Sequence, residues 1–436
     1  MAKLSMYMQL FSVKSIALLV ICATLCLSCS DHDGGGESEE VDERDLFVYD
    51  GTEDELPTCT GLPIVDIRTE DGLSLSDKET WREATLTFYG NESSSDFTET
   101  VLIKGRGNSS FRYPKKPFNL KFSKKREWLG MPKSKHWAFL ANYLDATLMS
   151  NDLTFYLGRT LATNLEWTPS GEFVELMFNG HHVGNYYVVE RIKVESNRLN
   201  IQEIKEEDAE ILTGGYLLEF DSWYDEVNQF KSAINHWPVC IKSPDEEWCT
   251  PSHLTYIRDF VNTLERYLKK GRFDAVHEMI DMPSFVDYYI MQLFCGNRDF
   301  DKVRSIYGYK KRDGKFYAGP LWDFDFGTYR EADGLYHQEC LWYAYLFNDP
   351  LFVSMLKKRW AELSEPLSKE ALLRIQQRQK YLAVSANVNY LIYPFKGKKR
   401  GEKGYMEWEP AVASMRNNIL LRKANLDKFI RELKNP

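Results

Sequence analysis

Apolar and polar residues alternate through the first half of the chain and recur every three to four positions in the second, so strands come first and helices after. Strands are predicted over Ala84 to Tyr89, Glu99 to Lys104, Phe118 to Phe122, His136 to Leu140, Phe173 to Phe178 and His182 to Val189. Asn179-Gly180 between the last two is a two-residue hairpin signal. One helix, about Ala146 to Thr163 with Asp145 as its cap, interrupts this half. The later half has helical periodicity over Ser252 to Lys269, Phe273 to Met279, Ser284 to Phe294, Leu351 to Leu363, Lys369 to Val384 and Pro410 to Leu433. A hairpin is set into it, Ser305 to Lys310 and Phe316 to Leu321 about a turn at Arg312-Asp313-Gly314-Lys315. The pattern predicts an α+β chain with a strand-rich N-terminal lobe and a helical C-terminal lobe.

The first 45 residues are of another kind. Lys3 and Lys14 precede an apolar run from Ile16 to Leu27, too short to span a bilayer and shaped like a signal-peptide core, so residues 1–28 are predicted to leave. Leu27-Ser28-Cys29 resembles a bacterial lipobox, although Cys26 stands where Leu is usual; the resemblance implies lipidation of Cys29. Residues 30–45 hold eight carboxylates and almost nothing apolar, the composition of a flexible tether. Their acidic start resembles the surface-export signal of Bacteroidetes lipoproteins. The reading is an exported lipoprotein of the outer membrane, held to it only through its N-terminal lipid. Residues 46–345 then form the main domain and 346–436 a helical extension of it.

Net charge is −9 over 436 residues, and losing residues 1–28, with two lysines and no acids, takes it to −11. Such a chain is a poor ligand for nucleic acid and suits a basic protein partner. Of eight cysteines, Cys59, Cys240, Cys249, Cys295 and Cys340 follow the tether. Cys240 and Cys249 flank a short loop and are placed to pair in an oxidising compartment. No Cys/His spacing fits a structural zinc site.

Two acidic clusters, Asn297-Arg298-Asp299-Phe300-Asp301 and Trp322-Asp323-Phe324-Asp325, lie at the two ends of the predicted hairpin. A hairpin brings its ends together, so both belong on one rim. Protein kinases use this layout: a loop aspartate orients the hydroxyl nucleophile, and a second site past the hairpin holds Mg²⁺. Upstream, Ile103-Lys-Gly-Arg-Gly-Asn-Ser-Ser110 and Tyr113-Pro-Lys-Lys-Pro-Phe-Asn-Leu-Lys121 join a Gly/Ser loop to closely spaced cations. Backbone amides from Gly105 to Ser110, Asn108 and Ser109 among them, form a candidate anion nest, with Arg106, Lys116 or Lys121 to reach a phosphate.

Taken together, these segments resemble the CotH kinases, over about residues 60–345 plus a helical extension. The resemblance rests on Lys104-Gly-Arg-Gly-Asn-Ser-Ser110 with Pro114-Lys-Lys-Pro117, on Trp137-Ala-Phe-Leu-Ala-Asn142 with Asp145 and Asn151-Asp152, and on Glu172-Phe-Val-Glu-Leu176 with Gly184-Asn-Tyr-Tyr187 and Glu190-Arg-Ile-Lys193. Gly214-Gly-Tyr-Leu-Leu-Glu219, Asn297-Arg-Asp299 and Gly319-Pro-Leu-Trp-Asp-Phe-Asp325 complete it. It implies a two-lobed atypical protein-kinase-like fold and transfer of the ATP γ-phosphate to serine of a partner protein, with Mg²⁺ or Mn²⁺; with the chain's acidity, the expected partner is a basic, Ser-rich protein. By position it makes Asp299 the catalytic acid, Asp323 and Asp325 metal ligands, and Glu190 a partner for the phosphate-binding lysine. One position departs. Five residues after its catalytic Asp a conventional kinase has a metal-binding Asn, and here that residue is Arg304, which leaves Asp301 as the substitute ligand or weakens metal binding. The rival readings are a catalytically weak or inactive surface adhesion module and a two-carboxylate glycosidase built on Asp299 and Asp323.

Overall fold

The computed structural model describes residues 56–90, 95–208, 210–224, 226–398, 403 and 405–436, and residues 46–436 form one compact unit. The expected leader, Cys29 and the tether lie outside the described residues. The early strands are β1 (Ile64–Thr69), β2 (Arg82–Tyr89), β3 (Phe97–Gly105), β4 (Phe118–Trp128), β5 (Met131–Leu140), β6 (Gly171–Phe178) and β7 (His181–Glu190). They close into a barrel of order β1-β2-β3-β4-β5-β7-β6, sealed where β6 runs parallel to β1. Alternation explains the barrel: Leu86, Ile103, Leu120, Trp137, Leu176 and Val188 all turn inward into one apolar core. In β6 and β7 nearly every residue is buried, because their other face, with Phe173, Tyr187 and Val189, packs into the helical core. The turn at Asn179-Gly180 takes φ of 51° and 87°, as its sequence requires.

The later half is not helical apart from one hairpin, which corrects the sequence expectation. It contains a five-stranded sheet of β8 (Tyr216–Phe220), β9 (Gln229–Lys231), β10 (Pro238–Ser243), β11 (Ile306–Lys310) and β12 (Phe316–Ala318), ordered β12-β11-β8-β10-β9. The predicted hairpin is its β11–β12 edge. Around it stand α1 (Ser150–Leu161), α2 (Pro251–Lys269), α3 (Phe273–Met279), α4 (Met282–Cys295), α5 (Arg298–Asp301), α6 (Tyr343–Leu346), α7 (Pro350–Ile392) and α8 (Trp408–Glu432). Every residue of α4 except Pro283 is buried. Cys240 and Cys249 remain free thiols, since Cys240 lies on β10 opposite Gln229 and Cys249 ends a separate turn.

Two helices expected on either side of Pro366 are one helix, α7, of 43 residues. A proline removes a helical hydrogen bond and normally ends or kinks the helix. Here the buried stripe runs on through Leu363, Leu367, Ala371, Ile375 and Leu382, and packing holds the axis together. The last 90 residues are built into the domain. Asp152 of α1 is fully buried and accepts hydrogen bonds from Arg374 (2.8 and 2.6 Å) and Arg378 (3.1 and 2.9 Å) of α7. Buried Lys115, at the foot of β4, donates to Asn389 at 2.8 Å, and Trp408 donates to the Thr147 carbonyl at 2.9 Å. No helix among the described residues is long and apolar enough to cross a membrane.

Removing one partner of a buried ion network leaves the others charged and unpaired, at a cost of about 3–5 kcal/mol. Asp152→Ala should therefore lower the urea unfolding free energy by that amount. A loss below about 1 kcal/mol would mean that α7 is held by apolar contact alone.

Candidate active site

Gly296 ends α4 in the left-handed conformation, φ 62°, and Asn297 turns the chain out, its Oδ1 accepting the Asp299 N–H at 3.0 Å. The single turn α5 then buries the Asp299 carboxylate. Residues two apart on a helix do not share a face, and Asp301 points elsewhere, to His337 Nδ1 at 2.7 Å. The chain runs out along β11, back along β12 and returns to the same rim. There Trp322 and Phe324 enter the core against Phe155, at ring separations of 5.9 and 6.0 Å, which leaves Asp323 and Asp325 facing the cleft. Asp323 takes φ 64°, and the following Phe324 N–H is held by Asn151 Oδ1 at 2.8 Å. Ser305, at the start of the hairpin, donates to Asp323 Oδ2 at 3.2 Å, so the two ends of the hairpin meet.

These acids crowd one another. Burial first, then the charge of Asp323, pushes the Asp299 carboxyl up to about 7, against the pull of Arg304 and Lys302. Burial and Glu219 push Asp221, at the end of β8, up to about 6. Asp323 and Asp325 are both raised, chiefly by burial, and Asp325 feels Asp323, Asp145 and Asp299 as well. Arg106 is the counter-charge to both. Its guanidinium lies 5.2 Å from the centre of the Trp322 ring. Close packing brings it there: a Cβ on Gly105 would meet the Asp77 carbonyl at 2.4 Å, and Gly107 sits at φ 81°.

Of the residues the sequence nominated, the structure brings Asp299, Asp323, Asp325 and Arg106 together. It does not add the others. Asn108 accepts from Lys78 at 2.8 Å, Ser109 is exposed, and Lys116 donates to the Phe111 carbonyl at 2.9 Å. Lys121 pairs across β5 with His136, on the opposite barrel face from Trp137 and Glu190. Glu190 is buried and takes the Ser170 N–H and hydroxyl at 3.0 and 2.9 Å, with Arg198 at 3.7 Å. Asp145 accepts from the Thr147 and Ser150 amides at 2.9 and 2.7 Å, a cap for the approach to α1.

Asp221, Asn151 and Arg191 went unremarked as site residues. Arg191 follows the buried Glu190, so alternation turns it outward, where Arg106 is the like charge that opposes its own most strongly. Its side chain makes no hydrogen bond or ion pair among the described residues. Two desolvated guanidiniums side by side fit an anion with several oxygens.

No group of three His, Cys, Asp or Glu side chains among the described residues is placed to hold a metal ion by itself. The hydrogen-bonded pair Asp323–Asp325 nevertheless fits Mg²⁺, which usually takes one or two carboxylates and completes its shell with phosphates and water. Asp301, on His337, is not part of that pair. The family model for CotH kinase protein matches residues 103–426, a span that takes in the Arg106 loop, both acid clusters and most of α8. No curated protein matches the chain.

An unfolded aspartate releases its proton near 3.8, whereas folded Asp299 keeps it to about 7. The folded state thus binds this proton more tightly, and the resulting stability is present below about pH 4 and lost as pH rises to 7. In metal-free buffer, Asp299→Asn should raise Tm by a few degrees at pH 8 and leave it unchanged at pH 4. Equal shifts at both pH values would show that Asp299 is not held in its protonated form.

Proposed function

The chain belongs to the CotH kinase family, and from that premise we propose an atypical protein kinase of two-lobed, kinase-like design that transfers the γ-phosphate of ATP to a serine of a partner protein. We place it at the cell envelope, anchored through Cys29. The observation that carries the reading is the Asp299 carboxylate: it is buried beside Asp323, and its Oδ1 accepts no hydrogen bond. A buried acceptor without a donor suits a hydroxyl that arrives with the substrate.

The serine Oγ–H points at Asp299 Oδ1 and yields its proton there as the Oγ–P bond forms and the bond to the ADP oxygen breaks. A group held at about 7 is matched to that task near neutral pH. Arg106 and Arg191 bind the non-bridging phosphate oxygens, and Trp322 keeps Arg106 from swinging away. Asp323 and Asp325 would hold Mg²⁺ or Mn²⁺, which would neutralise the phosphate charge. Asn151 and Ser305 fix the loop that carries these two acids. A glycosidase has no use for the paired guanidiniums, whereas a triphosphate does.

With labelled ATP, Mg²⁺ or Mn²⁺ and a panel of Ser-containing proteins, the wild type should incorporate label. Asp299→Ala should lower the rate by at least about 10³-fold, and Arg106→Ala should lower kcat/KM for ATP by about 10–100-fold. Absence of label in substrate and enzyme, or equal label with Asp299→Ala, would end the kinase reading and leave a binding module.

A further inference from the structure

Arg304 is held in place from three sides. Its neighbours Val303 and Ser305 both adopt left-handed conformations, φ 53° and 50°. A β-branched residue is disfavoured there and persists only where surrounding contacts impose it. Here the Arg304 N–H donates to the Asp299 carbonyl at 3.1 Å, the Val303 carbonyl accepts from Ser222 at 2.9 Å, and the Ser305 N–H donates to Asp221 Oδ2 at 3.0 Å. The backbone thus fixed aims the side chain at the acceptor side of the cleft. Arg304 Nη1 lies 3.6 Å from Asp299 Oδ1, and Nε donates to Ser222 Oγ at 3.3 Å. At 3.6 Å the contact to Asp299 is an ion pair without a hydrogen bond. The remaining N–H groups of the guanidinium donate to nothing among the described residues. The Arg304 side chain is 36% exposed and that of Asp299 10%, so the cation stands at the mouth and the carboxylate beneath it.

Further cations stand near that mouth, above the buried acids Asp221 and Asp323. Lys302 acts on Asp299 from the same loop. Arg112 lies 5.7 Å from the ring of Trp223, whose backbone N–H donates to Asp221 Oδ1 at 2.8 Å. Nearby carboxylates are already engaged: Asp301 by His337, Glu331 by Arg298.

We propose that Arg304 determines acceptor specificity: it selects a serine that has an aspartate or glutamate within two residues, whose carboxylate takes the free edge of the guanidinium. The inference rests on the kinase reading and names its substrate class. An acceptor hydroxyl within about 3 Å of Asp299 Oδ1 lies within about 7 Å of the guanidinium. One or two residues of extended chain, about 3.3–3.6 Å each, span that distance. Planar, bidentate pairing with a carboxylate is what arginine offers over lysine. The position that in a conventional kinase belongs to a metal-ligating asparagine here serves the other substrate.

The test uses peptides of one sequence, a serine flanked by two alanines on each side, with single Glu or Lys replacements at each flanking position. For the wild type, the best Glu peptide should exceed the all-Ala peptide by about 10–100-fold in kcat/KM, carried by the peptide KM rather than the ATP KM. Arg304→Gln should reduce that ratio to about threefold or less. Arg304→Lys, which keeps the charge and guards against a folding defect, should retain part of it. Lys peptides that equal or exceed Glu peptides with the wild type, or a Glu preference that survives Arg304→Gln, would overturn the assignment. Label in all peptides alike removes this inference only, whereas label in none, nor in any protein substrate, removes the kinase reading beneath it.

Discussion

Asp221, Asp299, Asp323 and Asp325 lie together and poorly solvated: burial makes all four harder to ionise, and the charge of Asp323 adds to this for the other three. Left to itself such a group would separate or take up protons. The protein instead fixes it from behind. Asn151 grips the Phe324 amide, Phe155 packs under Trp322 and Phe324, and the adjacent Asp152 ties α1 to two arginines of α7. Arg106 is the main positive charge set against the pair Asp323–Asp325. An arrangement that disfavours its own ionised form is one that gains from a divalent cation and a nucleotide.

Much of this was legible in the chain. Alternation located β2 to β7, because barrel strands face a core on one side and keep period two. It missed β1 and the short strands β8 to β10, whose partners are remote: β1 closes the barrel on β6, and β8 pairs with β11 some 90 residues later. Pro366 read as a helix end because local preference was weighed without the buried stripe that continues past it. The two acid clusters were visible because the hairpin between them is local. Asp301 was nominated by adjacency to Asp299, and a helical turn sends the two apart. Asn151 and Arg191 stood within quoted motifs, yet nothing local assigned them to the site; one reaches it from α1, and the other follows the end of β7.

The C-terminal helices read from sequence as an extension, yet they bear on the site. The family match runs to residue 426, within α8, and the network of Asp152 with Arg374 and Arg378 joins α7 to the helix that holds the Asp323–Asp325 loop through Asn151. Arg422 of α8 donates to the Leu293 carbonyl in the last turn of α4, the helix that leads into Asp299. Both acid clusters are thus braced by chain that follows them. A long helix that packs against both the barrel strand β7 and the other helices is a means of holding strained residues such as Val303 and Asp323 in their left-handed conformations.

The central claim is that Asp323 and Asp325 await a metal carried by a triphosphate whose oxygens meet Arg106. Calorimetric titration of ATP into the purified protein, with and without Mg²⁺, addresses it without requiring turnover. The account predicts binding at least about tenfold tighter with Mg²⁺, an increment that Asp323→Asn abolishes while leaving the metal-free affinity intact. ATP affinity that is indifferent to Mg²⁺, or unaltered by Asp323→Asn, would contradict it.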